Sequence, residues 1–357
     1  VWIANCLKTA KTPTVIALGN FDGVHQGHQT VIAPVVEAAS AGFPAATPAV
    51  TPAAVPTVVT FYPHPQEFFT GQKRLLLTPI SEKAAYLEQL GIQQLVLVPF
   101  NQALASLTPS EFVEQILVEA LQARWISVGQ DFQFGCQRRG TVTDLQQVAA
   151  LHGVTVTIAP LHRQQGERIS SSTIRAALTE GDLHRANALL GRPYSLTGTV
   201  VKGQQLGRTI GFPTANLQVA AEKFLPRLGV YSVWVDSERA GRQPAVMNLG
   251  HRPTVNGQQL TVEVHLLDWS GDLYSQQLTV SLQTFQRPEQ KFAGLPELQA
   301  QIRRDAEQAR QDLLTVSGGL PSGGLPSGVS PEITSGITSG SGSAAKMAGT
   351  IRIERTA

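Results

Sequence analysis

Cysteine is scarce in this chain: two in 357 residues, Cys6 and Cys136. They lie far apart without zinc-like partner spacing, which excludes a disulfide framework or zinc knuckle and fits a reduced compartment. An excess of one charge is lacking too. With 28 Lys and Arg against 26 Asp and Glu, the formal net charge of +2 is too small to imply a basic surface for nucleic acid or membrane. No apolar run approaches the roughly 20 residues of a membrane span, and the opening VWIANCLKTAKTP has no apolar core of signal-peptide length. The expectation is a cytoplasmic protein with neither nucleic-acid nor membrane partners, a monomer or weak homo-oligomer. Val1 in place of Met implies an alternative start codon or trimming. What the chain does have is apolar residues, 42% of the total, enough for globular cores. At this length two domains plus a tail is the natural division.

From residue 14 to 158, β-branched runs alternate with helical patterns: TVIALG, helix 27–41, TVVTFY, helix 81–90, QLVLVPF, helix 109–123, WISVG, helix 142–152, VTVTIAP. Parallel strands need crossover helices, so this rhythm predicts an α/β domain, a doubly wound parallel sheet with helices on both faces. Ligands in such sheets bind beyond the carboxyl ends of the strands. Near residue 191 the pattern changes to LTGTVVKG, GVYSVWVD, QPAVMNLG, LTVEVHLLD and QLTVSLQTF, separated by Gly, Pro and Asn turns. An antiparallel barrel or sandwich is expected, closed by a helix from Pro296. The domains are therefore placed at 1–190 and 191–315. The Pro/Ala-rich stretch 43–56 reads as a surface excursion tolerated away from the site, and 316–357, with its tandem SGGLPSGGLPSG, as a disordered low-complexity tail.

The stretch GNFDGVHQGHQTVI, residues 19–32, sets His25 and His28 in the turn from the first strand into the first helix. A helix N-terminus attracts anions, and Gly23 and Gly27 let a phosphate approach the main chain. Imidazole N–H donors there can stabilise charge on a triphosphate. The same spacing also suits two metal ligands, although no third His or Cys lies nearby in sequence, or two surface polar residues at a helix start. Ser171 and Ser172 in RISSSTIRAAL stand where N-caps stand, with Arg175 one turn on. They form a phosphate clamp or an ordinary helix cap. Asp131 and Phe132 follow the strand WISVG, either at a ligand or in a loop turn.

In GTVVKGQQLGRTIGFPTANL, residues 198–217, the Gly-Lys-Ser/Thr ending of a P-loop is missing and no helix follows, so that mechanism is excluded. Gly203, Gly207 and Gly211 form a phosphate flap or a plain hairpin. Pro213 fixes an extended chain, so Thr214 and Asn216 point the same way and suit a hard cation, or cap a loop. Alternation in LTVEVHLLD sends Val262, Val264 and Leu266 to one face and Glu263 with His265 to the other. Glu263 is a solvated residue or a general base for an alcohol attacking a γ-phosphate.

The string GNFDGVHQGH resembles the His-x-Gly-His nucleotidylyltransferases in the form seen in bacterial bifunctional riboflavin kinase/FAD synthetases. VTFYPHP (59–65), VGQDFQFGCQRRG (128–140) and RISSSTIRAAL (168–178) match the same family in order, and the resemblance continues to about residue 315. It implies an N-terminal FMN adenylyltransferase domain and a flavokinase barrel. One ATP would phosphorylate riboflavin to FMN, and a second would adenylylate FMN to FAD and pyrophosphate, with Mg2+ in both steps. The alternatives are a chain with one active module or a flavin-binding regulator on the same folds.

By resemblance, His25 and His28 are catalytic. Gly19, Asn20, Phe21, Asp22, Gly23, Gly27, Asp131, Ser171, Ser172 and Arg175 meet the nucleotide in the first domain. Gly203, Gly207, Arg208, Gly211 and Pro213 do so in the second. Thr214 and Asn216 hold the metal, Glu263 is the base, and Phe132 and Arg287 contact flavin. Gln133 stands where the family commonly has Arg, Ser172 where it has Thr, and Lys202 where it often has His.

Overall fold

A computed structural model describes residues 1–41, 54–164, 166–203, 205–254 and 257–317. The expected tail beyond Ser317 and most of the Pro/Ala excursion lie outside the described residues, although Val55 and Pro56 already belong to a strand.

The first half runs β1 (Trp2–Ala4), β2 (Thr14–Leu18), α1 (Gln26–Ala41), β3 (Val55–Tyr62), α2 (Pro65–Thr70), α3 (Ile80–Gln89), β4 (Gln94–Pro99) and α4 (Gln102–Ser106). It continues with α5 (Pro109–Glu111), β5 (Ala123–Gly129), α6 (Val142–Leu151) and β6 (Thr155–Ala159). The six strands form one parallel sheet in the order β1-β4-β3-β2-β5-β6. Every residue of β2 is buried, as a central strand covered on both faces requires. One face carries α1 and α3 over Val15, Ala17, Val58 and Leu95, and the other packs Ile16, Leu18, Val59 and Ile126. Strand order reverses at β2, which puts the loop after Leu18 at the switch crevice.

The helix expected over 109–123 differs in kind. After α5, whose start is closed by a Thr108–Glu111 capping box, residues Phe112–Ala120 wind as a π-helix. Phe112, Val113, Ile116 and Leu117 are all buried, and i, i+1, i+4, i+5 is a spacing that an i→i+5 helix gathers on one face.

A short hairpin, β7 (Arg163–Gln164) and β8 (Glu167–Arg168), leads to α7 (Ser171–Glu180) and α8 (Leu183–Leu190). The barrel follows: β9 (Tyr194–Val201), the short α9 (Leu206–Thr209), β10 (Ala215–Val219), β11 (Gly229–Ser237), β12 (Gly241–Thr254), β13 (Gly257–Leu266) and β14 (Gln277–Arg287). It closes in the order β10-β13-β12-β11-β14-β9, so no edge is left unpaired. Then α10 (Leu295–Ser317) covers its outside, with Ala306 and Ala309 against Leu267.

The barrel core does not stop at the barrel. Ile174, Leu178, Leu183, Leu189 and Leu190 of α7 and α8, together with Leu77, share one buried cluster with Leu196, Tyr231, Val264 and Leu282. Each such leucine contributes roughly 1.5–3 kcal/mol by burial. The two halves accordingly belong, in their described residues, to one compact unit.

Candidate active sites

The first site is the loop between β2 and α1. Phe21 and Val24 take positive φ and are buried, and Gly23 has φ +93°, where a Cβ would be strained and would crowd Leu77 at 3.0 Å. This turn stacks His25 on His28, ring centroids 3.6 Å apart at 14°, with Phe21 edge-on to His28 at 5.2 Å. Gly27 leaves the space that the His25 ring fills, since a Cβ there would lie 3.3 Å from it.

The His28 amide donates to His25 Nδ1 at 3.2 Å, so in the neutral His25 ring the proton sits on Nε2 as a donor. Burial pushes the His25 pKa down to about 4 against the pull of Asp22, and burial with the neighbouring His25 lowers that of His28 well below its ordinary value. His28 Nδ1 is a buried polar atom without a partner among the described residues. Both rings are thus neutral near pH 7, and they are dipolar N–H donors rather than cations.

Buried charge fixes the loop. Asp22 is 3% exposed. Its Oδ1 accepts from the amides of Leu77 (2.8 Å) and Thr78 (3.3 Å), and its Oδ2 pairs with Arg175. The Gly23 amide donates to Thr78 Oγ1 at 3.0 Å. Lys83 is buried too, and its ammonium donates to the Asn20 carbonyl at 2.9 Å. Burial lowers its pKa to about 8. Arg192 reaches the Gly23 and Val24 carbonyls at 2.8 and 3.2 Å while lying over the Tyr86 ring. Ser171 Oγ donates to the Asp22 carbonyl at 2.7 Å, whereas the hydroxyl that caps α7 belongs to Ser170. The structure therefore gathers Gly19–Gly27, Ser171 and Arg175. Asp131 stands further along the strand ends, half exposed and paired with Arg168, and Phe132 stacks on Phe134 at 5.7 Å.

The second site lies on the outer face of the barrel. Asn216 in β10 and Asn248 in β12 both stand opposite Glu263 in β13, while Leu217, Val262 and Val264 point into the core. Directly opposed residues share a face, so Asn216, Glu263 and Asn248 form one polar row. Thr214 precedes β10 beside Gly207, where a Cβ would come within 3.3 Å of Thr214 Oγ1 and 2.3 Å of the Phe212 carbonyl. A Cβ on Gly203 would strike Asn216 Nδ2 at 2.3 Å. His265 Nδ1 contacts the Pro213 carbonyl at 2.8 Å and holds the turn, and Gly211 there has φ +87°. Arg208 is exposed on α9. Arg287 lies apart from this row, its guanidinium bidentate to Asp305 on α10 at 2.9 and 2.7 Å. A hydroxyl, an amide and a carboxylate are hard-oxygen donors and fit Mg2+.

A family model described as FAD synthetase matches residues 7–173, and one described as riboflavin kinase matches 190–313. The bifunctional riboflavin kinase/FMN adenylyltransferase of Pseudomonas fluorescens is 41% identical over 298 residues, 83% of this chain and 92% of its own. The chain belongs to this bifunctional riboflavin kinase/FMN adenylyltransferase family. The Escherichia coli (strain K12) member is 39% identical over 311 residues, 87% of this chain and 96% of its own. A crystal structure described as a macrolide-efflux protein from Streptococcus pneumoniae superposes with a TM-score of 0.75 at 30% identity, over 86% of this chain and 98% of that one. Among the described residues here, no helix is long and apolar enough to cross a membrane.

In this member of the bifunctional family, several site neighbours escape a reading by motif. Lys83 and Arg192 lie outside the string GNFDGVHQGH and reach its Asn20, Gly23 and Val24 carbonyls only through folding. His64 sits inside VTFYPHP; burial, with Arg74 nearby, lowers its pKa to about 4. Asn248 was legible in principle, because register with Glu263 follows once the two strands are paired.

Proposed function

We propose that the two activities of this riboflavin kinase/FAD synthetase are divided between its halves. The chain makes FMN from riboflavin and FAD from FMN, residues 191–315 serving the kinase step and residues 1–190 the adenylyl transfer. The observation that carries the division is the stacked His25–His28 pair, neutral and backed by the N-terminus of α1, in the half that matches FAD synthetase.

In adenylyl transfer the FMN phosphate attacks the α-phosphate of ATP and pyrophosphate leaves. Neutral imidazole N–H groups and the free amides of α1 stabilise the charge that develops on the phosphates, with no covalent intermediate. Ser171, Ser172 and Arg175 flank the same loop, and Asp131 with Phe132 borders it on the β5 side. In the kinase step Glu263 takes the proton of the ribityl 5′-hydroxyl as the oxygen attacks the γ-phosphate. Gly203, Gly207, Arg208, Gly211 and Pro213 cover the phosphates, and Arg287 borders the flavin side. Thr214 and Asn216 would hold Mg2+, which neutralises phosphate charge and orients the leaving group. The protein works in the cytoplasm as a monomer or weak oligomer.

The test is to incubate the protein with riboflavin, ATP and Mg2+ and separate the flavins over time. The His25→Ala/His28→Ala variant should still make FMN but lose FAD formation by about 10²–10³-fold or more. Loss of both products with folding intact would overturn the division.

A further inference from the structure

We propose that Lys223, a residue of the barrel half, is a positioning residue for the adenylyl-transfer site of the other half. The inference rests on the assignment of loop 19–28 to adenylyl transfer.

The loop hangs on the segment 75–78. Leu77 and Thr78 amides hold the Asp22 carboxylate, Thr78 Oγ1 holds the Gly23 amide, and the Leu75 carbonyl accepts from Arg175 at 2.9 Å. That segment is itself held by the barrel half. Leu76 bridges Lys223 in parallel, its amide donating to the Glu222 carbonyl at 2.6 Å and its carbonyl accepting from the Phe224 amide at 2.8 Å. Lys223, 3% exposed, donates its ammonium to the Leu77 carbonyl at 2.8 Å. Leu77 therefore binds the catalytic loop through its amide and the barrel half through its carbonyl.

The same ammonium pairs with Glu82 at 2.5 Å, and the other Glu82 oxygen accepts from the Thr197 amide of β9 at 3.1 Å. Glu82 is the neighbour of Lys83 on the first turn of α3. Consecutive helical side chains point about 100° apart, and here one faces the barrel while the other holds the Asn20 carbonyl. A buried ion pair costs desolvation that an apolar pair would not, so cohesion alone does not account for it. What the pair adds is direction. It fixes the register of Leu76 against Lys223, and with it the aim of two amides at Asp22.

The experiment uses the full chain and measures two reactions separately: FMN from riboflavin, and FAD from supplied FMN. Lys223→Met should lower kcat for FAD formation by roughly 10–10²-fold, with KM for FMN and the kinase rate each changed less than about twofold. Lys223→Arg should restore most of the loss. If Lys223→Met does not fold, Glu82→Gln, which keeps shape and removes charge, should show the same split. Unchanged FAD formation in these variants, while His25→Ala/His28→Ala abolishes it, would overturn the positioning role and leave the site assignment standing. Equal loss of both reactions would make Lys223 a folding residue and also overturn the proposal. If the double histidine variant still makes FAD, the assignment falls and the proposal with it.

Discussion

The two sites are built by opposite means. The loop proposed for adenylyl transfer is held, before any substrate arrives, by groups from distant parts of the chain: the Leu77 amide and the side chains of Thr78, Lys83, Arg175 and Arg192. The row proposed for the kinase step, Asn216–Glu263–Asn248, is set by strand register, on the outside of a closed barrel, with Gly203 packed against Asn216. A site built from long-range contacts is exposed to changes far from the chemistry. A site built from register is exposed to changes in its own strands and in the loop packed against them.

The strongest way to break that comparison is at the kinase row. Glu263→Ala should slow FMN formation from riboflavin by about 10²–10⁴-fold, the span of a lost general base. FAD formation from supplied FMN should be untouched, because Glu263 stands between Asn216 and Asn248 on neighbouring strands of the barrel. A fall in both rates would mean that the row is not local after all. A smaller effect is expected at Gly203. A Cβ there would lie 2.3 Å from Asn216 Nδ2, so Gly203→Ala must turn the Asn216 side chain out of the row. Displacement of about 1 Å at a catalytic group can cost about 10²-fold. The loss should appear in the kinase rate and in its Mg2+ dependence, with thermal stability nearly unchanged.

How much was legible beforehand follows the same division. The parallel sheet was readable because buried strands such as VIAL and VVTF are unbroken runs rich in β-branched residues, and the barrel because LTVEVHLL alternates. Strand β10 was seen only as an extended piece of a glycine-rich loop, since five residues of ANLQV carry little pattern by themselves. The cap of α7 was read one residue late: three serines in a row offer equal hydroxyls, and only backbone geometry selects Ser170. The histidines were visible, but their neutrality was not, because it comes from burial. Lys83 and Lys223 belong to no motif, and only the packing of α3 between loop and barrel makes them structural.

The gentlest test titrates the buried groups. His25, with a folded pKa of about 4, refuses a proton that the unfolded chain accepts near its ordinary 6.5, and His28 and His64 are lowered in the same sense. Between those values the unfolded state holds more protons, so stability falls as pH drops from about 6.5 toward 4. Each such ring steepens the fall by at most about 1.4 kcal/mol per pH unit. Lys83 and Lys223, both near 8 in the folded state, act at the other end: the folded chain sheds their protons first, so they favour folding as pH rises from about 8 toward 10.5. Thermal unfolding of the substrate-free protein across this range should show the acid slope, and His25→Ala/His28→Ala should flatten it. An unchanged slope in that variant would mean that the rings are wetter than their packing implies, and their role as dry N–H donors would fail with it.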